Sequence, residues 1–451
     1  MTNSQAPTLR SIRACLEGAI PAIMATSAPD GTPNVAYISQ VLYVDEQHVA
    51  LSFQFFNKTR ANILLNPWAN VLVINPVTAR FYRLHLHYLR TETQGPLFAH
   101  MQAQLAGIAS HSGMEHIFAL KGADLYRVEC IEAVAGEGLQ APPPQLPYAD
   151  LLSTIRLCSQ RLVRCSSLDE LLQATLSGLH AHLGIQHALL LLLDATAGHL
   201  YTVASHGYPQ SGVGSEIKLG QGVIGVAARE ATPVRISHMT HAALYSHALR
   251  CSLDEDGPLA GPEIPYPGLA APHSQLAVPL ISAGRVLGIL FVESPLDLQF
   301  RYPEEDALVA LAGQLASAID LLQSGAEPPE AAPPPITPAP THGPTQRIRH
   351  FAANDSVFID DAYLIKGVAG AIFAKLLRDH ASSGRVDFCN RELRLDPRIR
   401  LPDVTDNLEA RLLLLQRRLQ ESQTRIRIER TGRGRFRLCL SAPVQLEEIP
   451  G

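Results

Sequence analysis

The chain has 451 residues, 46% of them hydrophobic and 18% charged, with a formal net charge of −5. That composition excludes a disordered or low-complexity protein, and at about 150 residues per domain the length suggests about three domains. The charge is unevenly spread: residues 346–451 hold 19 Lys and Arg against 14 Asp and Glu, which leaves 18 basic and 28 acidic residues in the rest, an acidic body with a basic end and therefore different partners for the two parts.

The N-terminus has no long apolar run behind its basic residues, so it does not read as a signal peptide. No stretch reaches the roughly 18 uncharged apolar residues of a membrane span. The seven cysteines (Cys15, Cys130, Cys158, Cys165, Cys251, Cys389 and Cys439) are scattered without a CxxC pair. They fit free thiols in a reducing compartment better than a disulfide framework. A soluble, cytoplasmic protein without a membrane partner is expected. Two proline-rich stretches, 136–147 and 326–345, divide the chain into blocks 1–135, 148–325 and 346–451. Proline lacks the amide donor and favours extended chain, so these stretches read as linkers.

In the first block, Ala19–Ser27, Asn34–Val44 and His48–Phe55 are β-branched or aromatic runs separated by Asp30-Gly31 and Asp45-Glu46 turns. A short helix, Asn57–Leu65, stops at Asn66-Pro67; strands resume at Ala69–Asn75 and Arg80–Thr93, then a helix over Pro96–Ser110 and a strand over Leu125–Val134. Six short antiparallel strands suggest a closed or split barrel. Within it, a strand runs into Asn57-Lys58-Thr59-Arg60 and opens the helix. A helix N-terminus offers free N–H groups and the positive dipole end, which suit a phosphate; the same residues also suit an ordinary N-cap with solvated charges.

The run Asp30–Val73 resembles the pyridoxamine 5′-phosphate oxidase-like, FMN-binding split-barrel family in its DG-x-P hairpin, third strand, Lys/Thr-rich turn and NP helix stop. The resemblance covers residues 10–135 and implies a homodimer with FMN at the subunit interface. It places Asn57, Lys58 and Thr59 where the family holds the flavin phosphate, Arg60 beside them, and Gln54 and Phe55 near the flavin ring. The oxidase's C-terminal substrate motif of paired arginines and a histidine, and its Trp-rich dimer segment, are missing; the block ends at VECIEAVAG and runs into proline. That departure argues against pyridoxamine oxidation, leaves another flavin-like cofactor, haem or an empty barrel open, and assigns no catalytic residue.

In the second block, Tyr148–Gly184 has helical spacing interrupted at Ser166–Asp169, which predicts a connecting helix and a second helix, Leu168–Leu183, closed by Gly184. Two strands flank a turn at Thr196–Gly198; then come Leu219–Ile236, a hairpin within Ser274–Ser294 turning at Ala283-Gly284, and a closing helix, Pro303–Leu322. The block resembles a GAF domain in GQGVIGVAARE-x-x-PVRI, in QLAVPLISAGRVLGILFVES and in its closing helix with Phe300, Asp306 and Leu311–Ile319. This implies a small-molecule sensor or dimer module with no chemistry of its own; its ligand is not identified. The cyclic-nucleotide signature is absent, and Cys251, in the region where bilin binders carry a cysteine, precedes Ser252 rather than a histidine. His238, His241, His247 and His273 share the loop 237–273, but no carboxylate or cysteine completes a zinc pattern, so no metal is assigned. The loop's length and Gly/Pro density suit a lid.

In the third block, Tyr363–Gly384 reads as a helix with Ile372, Leu376 and Leu377 on one face, and Asn390 as the N-cap of a short second helix. A third helix spans Asp406–Ser422, with Asp406 and Glu409 at capping-box spacing. Its apolar stripe is Leu408, Leu412, Leu415 and Leu419. Asn407, Arg411 and Arg418 lie together beside that stripe and Arg417 lies opposite the core, forming an exposed basic face. Leu413 and Leu414 fall off the stripe, where they suit packing on a partner. A hairpin, Ile426–Leu440, turns at Gly432–Gly434. Three helices and a basic hairpin are the winged helix-turn-helix plan. The block resembles the response-regulator winged helices of the OmpR/PhoB class in NRELRLD, NLEARLLLLQRRLQ and the wing IRIERTGRGRFRL. That resemblance implies DNA binding: Asn407, Arg411, Arg417 and Arg418 would face the major groove, and Arg430, Arg433 and Arg435 phosphates or a minor groove. The other reading is a surface helix in a protein–protein module.

The expected architecture is a β split barrel, an α/β GAF sensor fold and a winged helix-turn-helix. The expected function is ligand- or redox-responsive transcriptional regulation by a homodimer, with FMN in the barrel, a small molecule in the GAF domain and DNA on the C-terminal domain. The alternatives are an FMN-dependent oxidoreductase with a regulatory GAF module, and a GAF-based signalling scaffold.

Overall fold

The computed structural model describes residues 6–16, 20–54, 58–112 (backbone alone for 108–112), 120–136, 138–139, 151–237, 264–324, 344–399, 408–432 and 434–450. Most of both proline-rich stretches, and the loop residues His238, His241, His247 and Cys251, lie outside them.

The first block forms strands β1 (Ala22–Ser27), β2 (Pro33–Ile38), β3 (Val41–Tyr43) and β4 (His48–Phe53), helix α1 (Lys58–Leu65), strands β5 (Trp68–Ile74) and β6 (Phe81–Glu92), helix α2 (Pro96–Ser112) and strand β7 (Gly122–Ala133). They make one seven-stranded antiparallel sheet, ordered β2-β1-β5-β6-β7-β4-β3. The expected single strand Asn34–Val44 is two strands on opposite edges of this sheet, separated by Ser39 and Gln40 alone. So short a connection forces the sheet to curl until its edges approach. Register shifts at His85/Leu86 and Tyr88/Arg90 bend the long β6–β7 pair accordingly. Met24, Val49, Leu51, Val71, Leu84 and Leu86 fill the interior.

The middle block comprises α3 (Leu151–Leu162), α4 (Leu168–Leu183), β8 (His187–Asp194), β9 (His199–His206), β10 (Glu216–Lys218), α5 (Gly222–Glu230), β11 (Val234–Ile236), β12 (Ser274–Ser282), β13 (Arg285–Ser294) and α6 (Tyr302–Ser324). Helix α4 begins and ends as its sequence predicts: Ser167 Oγ accepts from the Glu170 amide, and Gly184 closes it at φ 64°. The sheet order is β10-β9-β8-β13-β12-β11. One face carries Leu190, Leu192, Val278 and Leu290 against Leu171, Leu176, Leu308 and Leu315 of the helices. The other carries Leu189, Leu191, Ile289 and Phe291 against Val223, Ile224 and Ala227 of α5. Both faces are dry, which is why β8 reads as a continuous apolar run.

Helix α2 of the barrel joins this second face. Its Ala103 is fully buried in the same cluster, and a Cβ on Gly107 would collide with Val234 Cγ1. Nearby, Tyr302 Oη donates to the Leu16 carbonyl (2.8 Å), and the Arg13 guanidinium lies 3.9 Å from the Tyr302 ring centroid. Arg235, itself 4.3 Å from that centroid, pairs with Glu305 at 2.5 Å.

The third block comprises β14 (Gln346–Phe351), β15 (Ser356–Ile359), β16 (Ala362–Ile365), α7 (Gly367–Ser383), β17 (Asp387–Cys389), α8 (Asn390–Leu395), α9 (Leu408–Glu421), β18 (Ile426–Gly432), β19 (Arg435–Leu440) and β20 (Val444–Ile449). β14 and β20 run parallel in a four-stranded sheet, β16-β15-β14-β20, and β17-β19-β18 form a second sheet. Three strands before the first helix were not foreseen. The expected start of that helix, Tyr363–Ile365, lies in strand β16; the helix opens at Gly367, whose φ is 66°. Asn390 is the first helical residue rather than the cap, Cys389 being the N-cap. Asp406 lies outside the described residues.

Two outcomes test the barrel–GAF interface. Gly107→Val forces a branched side chain onto the stiff Val234 and should cost about 1–3 kcal/mol, read as a lower unfolding midpoint. His100, on α2, is held below the usual histidine range by burial, with Glu305 opposing and Arg235 assisting. The folded state therefore keeps it neutral: its contribution is intact above about pH 6.5 and is lost as pH falls through that value toward the folded pKa. Thermal midpoints should fall between about pH 7.5 and 5.5, and fall less in His100→Gln.

Candidate functional site

A cleft opens in the barrel, lined among others by Tyr37, Ser39, Gln54, Thr59, Arg60 and Tyr126. Helix α1 brings two of the expected residues, Thr59 and Arg60, to its lining, with Lys58 one residue before them. Lys58 is exposed at the first turn. Thr59 is buried, and its Oγ1 accepts from Asn34 Nδ2 at 2.8 Å. Arg60 turns inward: Nη1 reaches Asp124 Oδ1 at 2.7 Å, Nη2 reaches Thr91 Oγ1 at 2.8 Å, and the guanidinium lies 4.7 Å from the Phe53 ring centroid. Tyr88 Oη meets Thr91 Oγ1 at 2.6 Å. Burial raises the Asp124 carboxyl above its ordinary range, although Thr91 and Arg60 pull it down. Phe55 and Asn57 lie outside the described residues.

Gln54 is buried at the cleft wall, and its Oε1 has no hydrogen-bond partner among the described residues; nor has Tyr126 Oη. Such groups are costly inside a protein unless something polar meets them. Both residues line the cleft, so these atoms are where a polar molecule entering it would bond. Asn34, Tyr88, Thr91, Asp124 and Tyr126 were not nominated from sequence. They lie on three strands, β2, β6 and β7, and the curl of the sheet, rather than any spacing, gathers them.

The expected basic face of the third block has a different setting. Arg411 is 5% exposed, its Nη2 is 2.6 Å from Asp194 Oδ2 of β8, and its guanidinium lies 4.1 Å from the Tyr201 ring centroid. Arg417 donates to the Val203 carbonyl and pairs with Asp169 at 2.6 Å. Arg418 donates to the Leu364 carbonyl at 3.0 Å and pairs with Glu421. Leu413 and Leu414 are buried in a cluster continuous with the GAF core. The expectation that Arg411, Arg417 and Arg418 are exposed is therefore corrected. Sequence reading set the helix against its own three-helix core, whereas its opposite side meets the GAF sheet. On the wing, Arg430 is exposed and pairs with Glu409 at 3.3 Å, and Arg435 lines a shallow groove with Asn390 and Phe436. Asn407 and Arg433 lie outside the described residues. Among the described residues no His, Cys, Asp and Glu cluster could hold a metal ion, and no helix is long and apolar enough to cross a membrane.

Residues 9–129 match the pyridoxamine 5′-phosphate oxidase family model and residues 167–319 the GAF domain model. The chain thus carries an N-terminal domain of the FMN-binding split-barrel type and a central GAF domain. Among solved structures, the GAF domain of an Acinetobacter phosphoenolpyruvate-protein phosphotransferase is 23% identical, covering 38% of this chain and 93% of its own, with a TM-score of 0.30. An FMN-binding protein from Syntrophomonas wolfei subsp. wolfei is 18% identical over 28% of this chain and 89% of its own (TM-score 0.24). HupZ of Group A Streptococcus is 16% identical over 29% and 98% (TM-score 0.22). No curated protein matches.

Removing the cation from the buried Arg60–Asp124 pair leaves a carboxylate with Thr91 alone. Arg60→Ala should cost about 3–5 kcal/mol in barrel stability. Asp124→Asn, which keeps an acceptor for both partners, should cost less; denaturant unfolding checks the order.

Proposed function

We propose that this chain is a sensory regulatory protein whose barrel holds FMN or a closely similar flavin, whose GAF domain relays the bound state, and whose C-terminal domain is a winged-helix output on DNA. The observation that carries the flavin reading is the cleft itself. Its wall presents buried polar atoms that await a partner, Gln54 Oε1 and Tyr126 Oη, while a lysine stands exposed at the helix start beside it. Gln54 and Tyr126 would bond the polar edge of the ring, and Lys58 would neutralise the phosphate. When bound, the flavin supplies a chromophore that accepts or donates electrons; the chain's own residues bind and orient it.

A second copy fits the same reading. Tyr37 and Ser39 line both the cleft and an adjoining apolar groove with Ile20, Ile23, Leu72 and Phe81. Tyr37 is 81% exposed on this face, more apolar surface than a lone barrel needs to show. A partner barrel docked there would cover the groove and close the cleft. For the C-terminal domain, the support is the net positive charge of residues 346–451 and the order of three helices followed by the β18–β19 hairpin.

FMN titrated into the full chain should show saturable quenching of flavin fluorescence. Gln54→Ala and Lys58→Ala should each weaken binding about tenfold, the worth of one hydrogen bond to a charged or buried group. Tyr37→Asp should shift the protein toward monomer in sedimentation and weaken FMN binding with it. A wild-type chain that neither quenches nor saturates would remove the flavin reading.

A further inference from the structure

Helix α9 presents its arginines to acceptors within the same chain. Arg411 and Asp194, both buried, meet at 2.6 Å over the Tyr201 ring, and Arg417 bridges the Val203 carbonyl and Asp169. Around them Glu421 accepts from Ser211 Oγ, and Lys366 pairs with Glu216 at 2.9 Å. The contact is close-packed as well as charged: a Cβ on Gly214 would lie 3.5 Å from Arg418 Cδ and 3.7 Å from Leu414 Cδ1. The GAF elements in this contact are the first turn of α4, the end of β8, and the strands β9 and β10 with their connection, on the β10-β9-β8 side of the sheet.

A helix reads DNA by placing its side chains on base edges inside the major groove, which leaves no room for another domain on the same face. The face of α9 that carries Arg411 and Arg417 cannot lie in a groove and on β9 at once. The Asp194 and Asp169 carboxylates occupy the place that phosphate and base oxygens would take, offering the same charge-assisted bonds to the same guanidinium groups.

We propose that the GAF domain holds α9 in a DNA-incompetent position, with Arg411–Asp194 as the inner tie and Arg417–Asp169 as the outer one, so that DNA binding requires α9 to leave the GAF sheet. The proposal rests on the DNA-binding reading of the C-terminal domain and adds the contact that controls it. Strand β9 gives the GAF domain a means of control: Leu200 faces the α5 side of the sheet and Tyr201 the α9 side. Any shift of β9 that moves Tyr201 would therefore alter the seat of Arg411.

The test uses the full chain. Asp194→Asn removes the charge facing Arg411 but keeps an acceptor for the Ala197 amide, which Asp194 Oδ1 binds at 2.9 Å. Asp169→Asn removes the outer tie at a half-exposed side chain, where loss of fold is not expected. Hydrogen exchange over 408–421 and affinity for selected genomic DNA fragments at fixed salt are measured for each. The expected result is faster exchange in α9 and tighter DNA binding, on the order of tenfold for Asp194→Asn and less for Asp169→Asn. Arg430→Ala in the released chain should weaken DNA binding and leave exchange in α9 unchanged. Faster exchange with DNA affinity equal to wild type would overturn the lock and leave the DNA reading standing. Faster exchange with no DNA binding in any variant would overturn the DNA reading and the proposal with it. Unchanged exchange in both variants would show that these pairs are not the ties.

Discussion

The central sheet of the GAF domain buries both of its faces, and the rest of the molecule is arranged around that requirement. Alternate leucines of β8 point in opposite directions, Leu189 and Leu191 to one side and Leu190 and Leu192 to the other. A strand of that composition cannot leave either side in water without losing several kcal/mol of apolar burial, about 1.5–3 per leucine. The domain's own helices cover one face. Helix α5 covers only part of the second, and α2 of the barrel fills in beside it with Ala103 and Gly107, small residues that let the helix approach closely. The domains are therefore joined through packed apolar surface at this seam, so α2 couples the barrel mechanically to the GAF sheet.

The seam with the C-terminal domain is built differently. There the GAF sheet edge and first α4 turn offer carboxylates and a carbonyl, and α9 offers guanidinium groups, with Tyr201 and Leu414 excluding water around them. Buried charge pairs add little net stability over apolar residues of the same shape, but removing one partner is expensive. Such a contact specifies one geometry and is sensitive to small displacements of either partner. The barrel seam combines the apolar packing of α2 with the polar contacts around Tyr302, whereas the C-terminal seam is built mainly on the guanidinium–carboxylate pairs of α9.

Much of this was legible in the amino-acid sequence, and the reasons are local. Ser167 and Gly184 bound helix α4 because a hydroxyl cap and a left-handed glycine act over three or four residues. The Ala283-Gly284 turn shows the positive φ values a tight hairpin needs, 48° and 75°. The run Lys58–Leu65 is helical because nothing in it breaks the pattern before Asn66-Pro67. What was not legible depends on distance along the chain. Splitting Asn34–Val44 into two strands at opposite edges requires knowing that the sheet curls. Asp124 is 64 residues from Arg60, and no spacing connects them. Strands β14–β16 are short, β14 carries Arg347 and Arg349, and Asp360 and Asp361 separate β15 from β16, so their alternation is easily lost between charges.

By itself the sequence determined the split-barrel and GAF parts and their order, the helix that opens beside the barrel cleft, and the hydrophobic stripe of α9. These follow from periodicity, turn chemistry and composition, which act within a few residues. The tertiary structure alone decided what the side chains at those positions meet. Arg60 and Arg411 are both arginines on helices that local reasoning would place in solvent or on a phosphate. Each is instead directed to a carboxylate on a strand far away in the chain, Asp124 and Asp194. A guanidinium reaches its partner only after strands and helices have packed, so its role is a property of the assembled fold rather than of its neighbours in sequence.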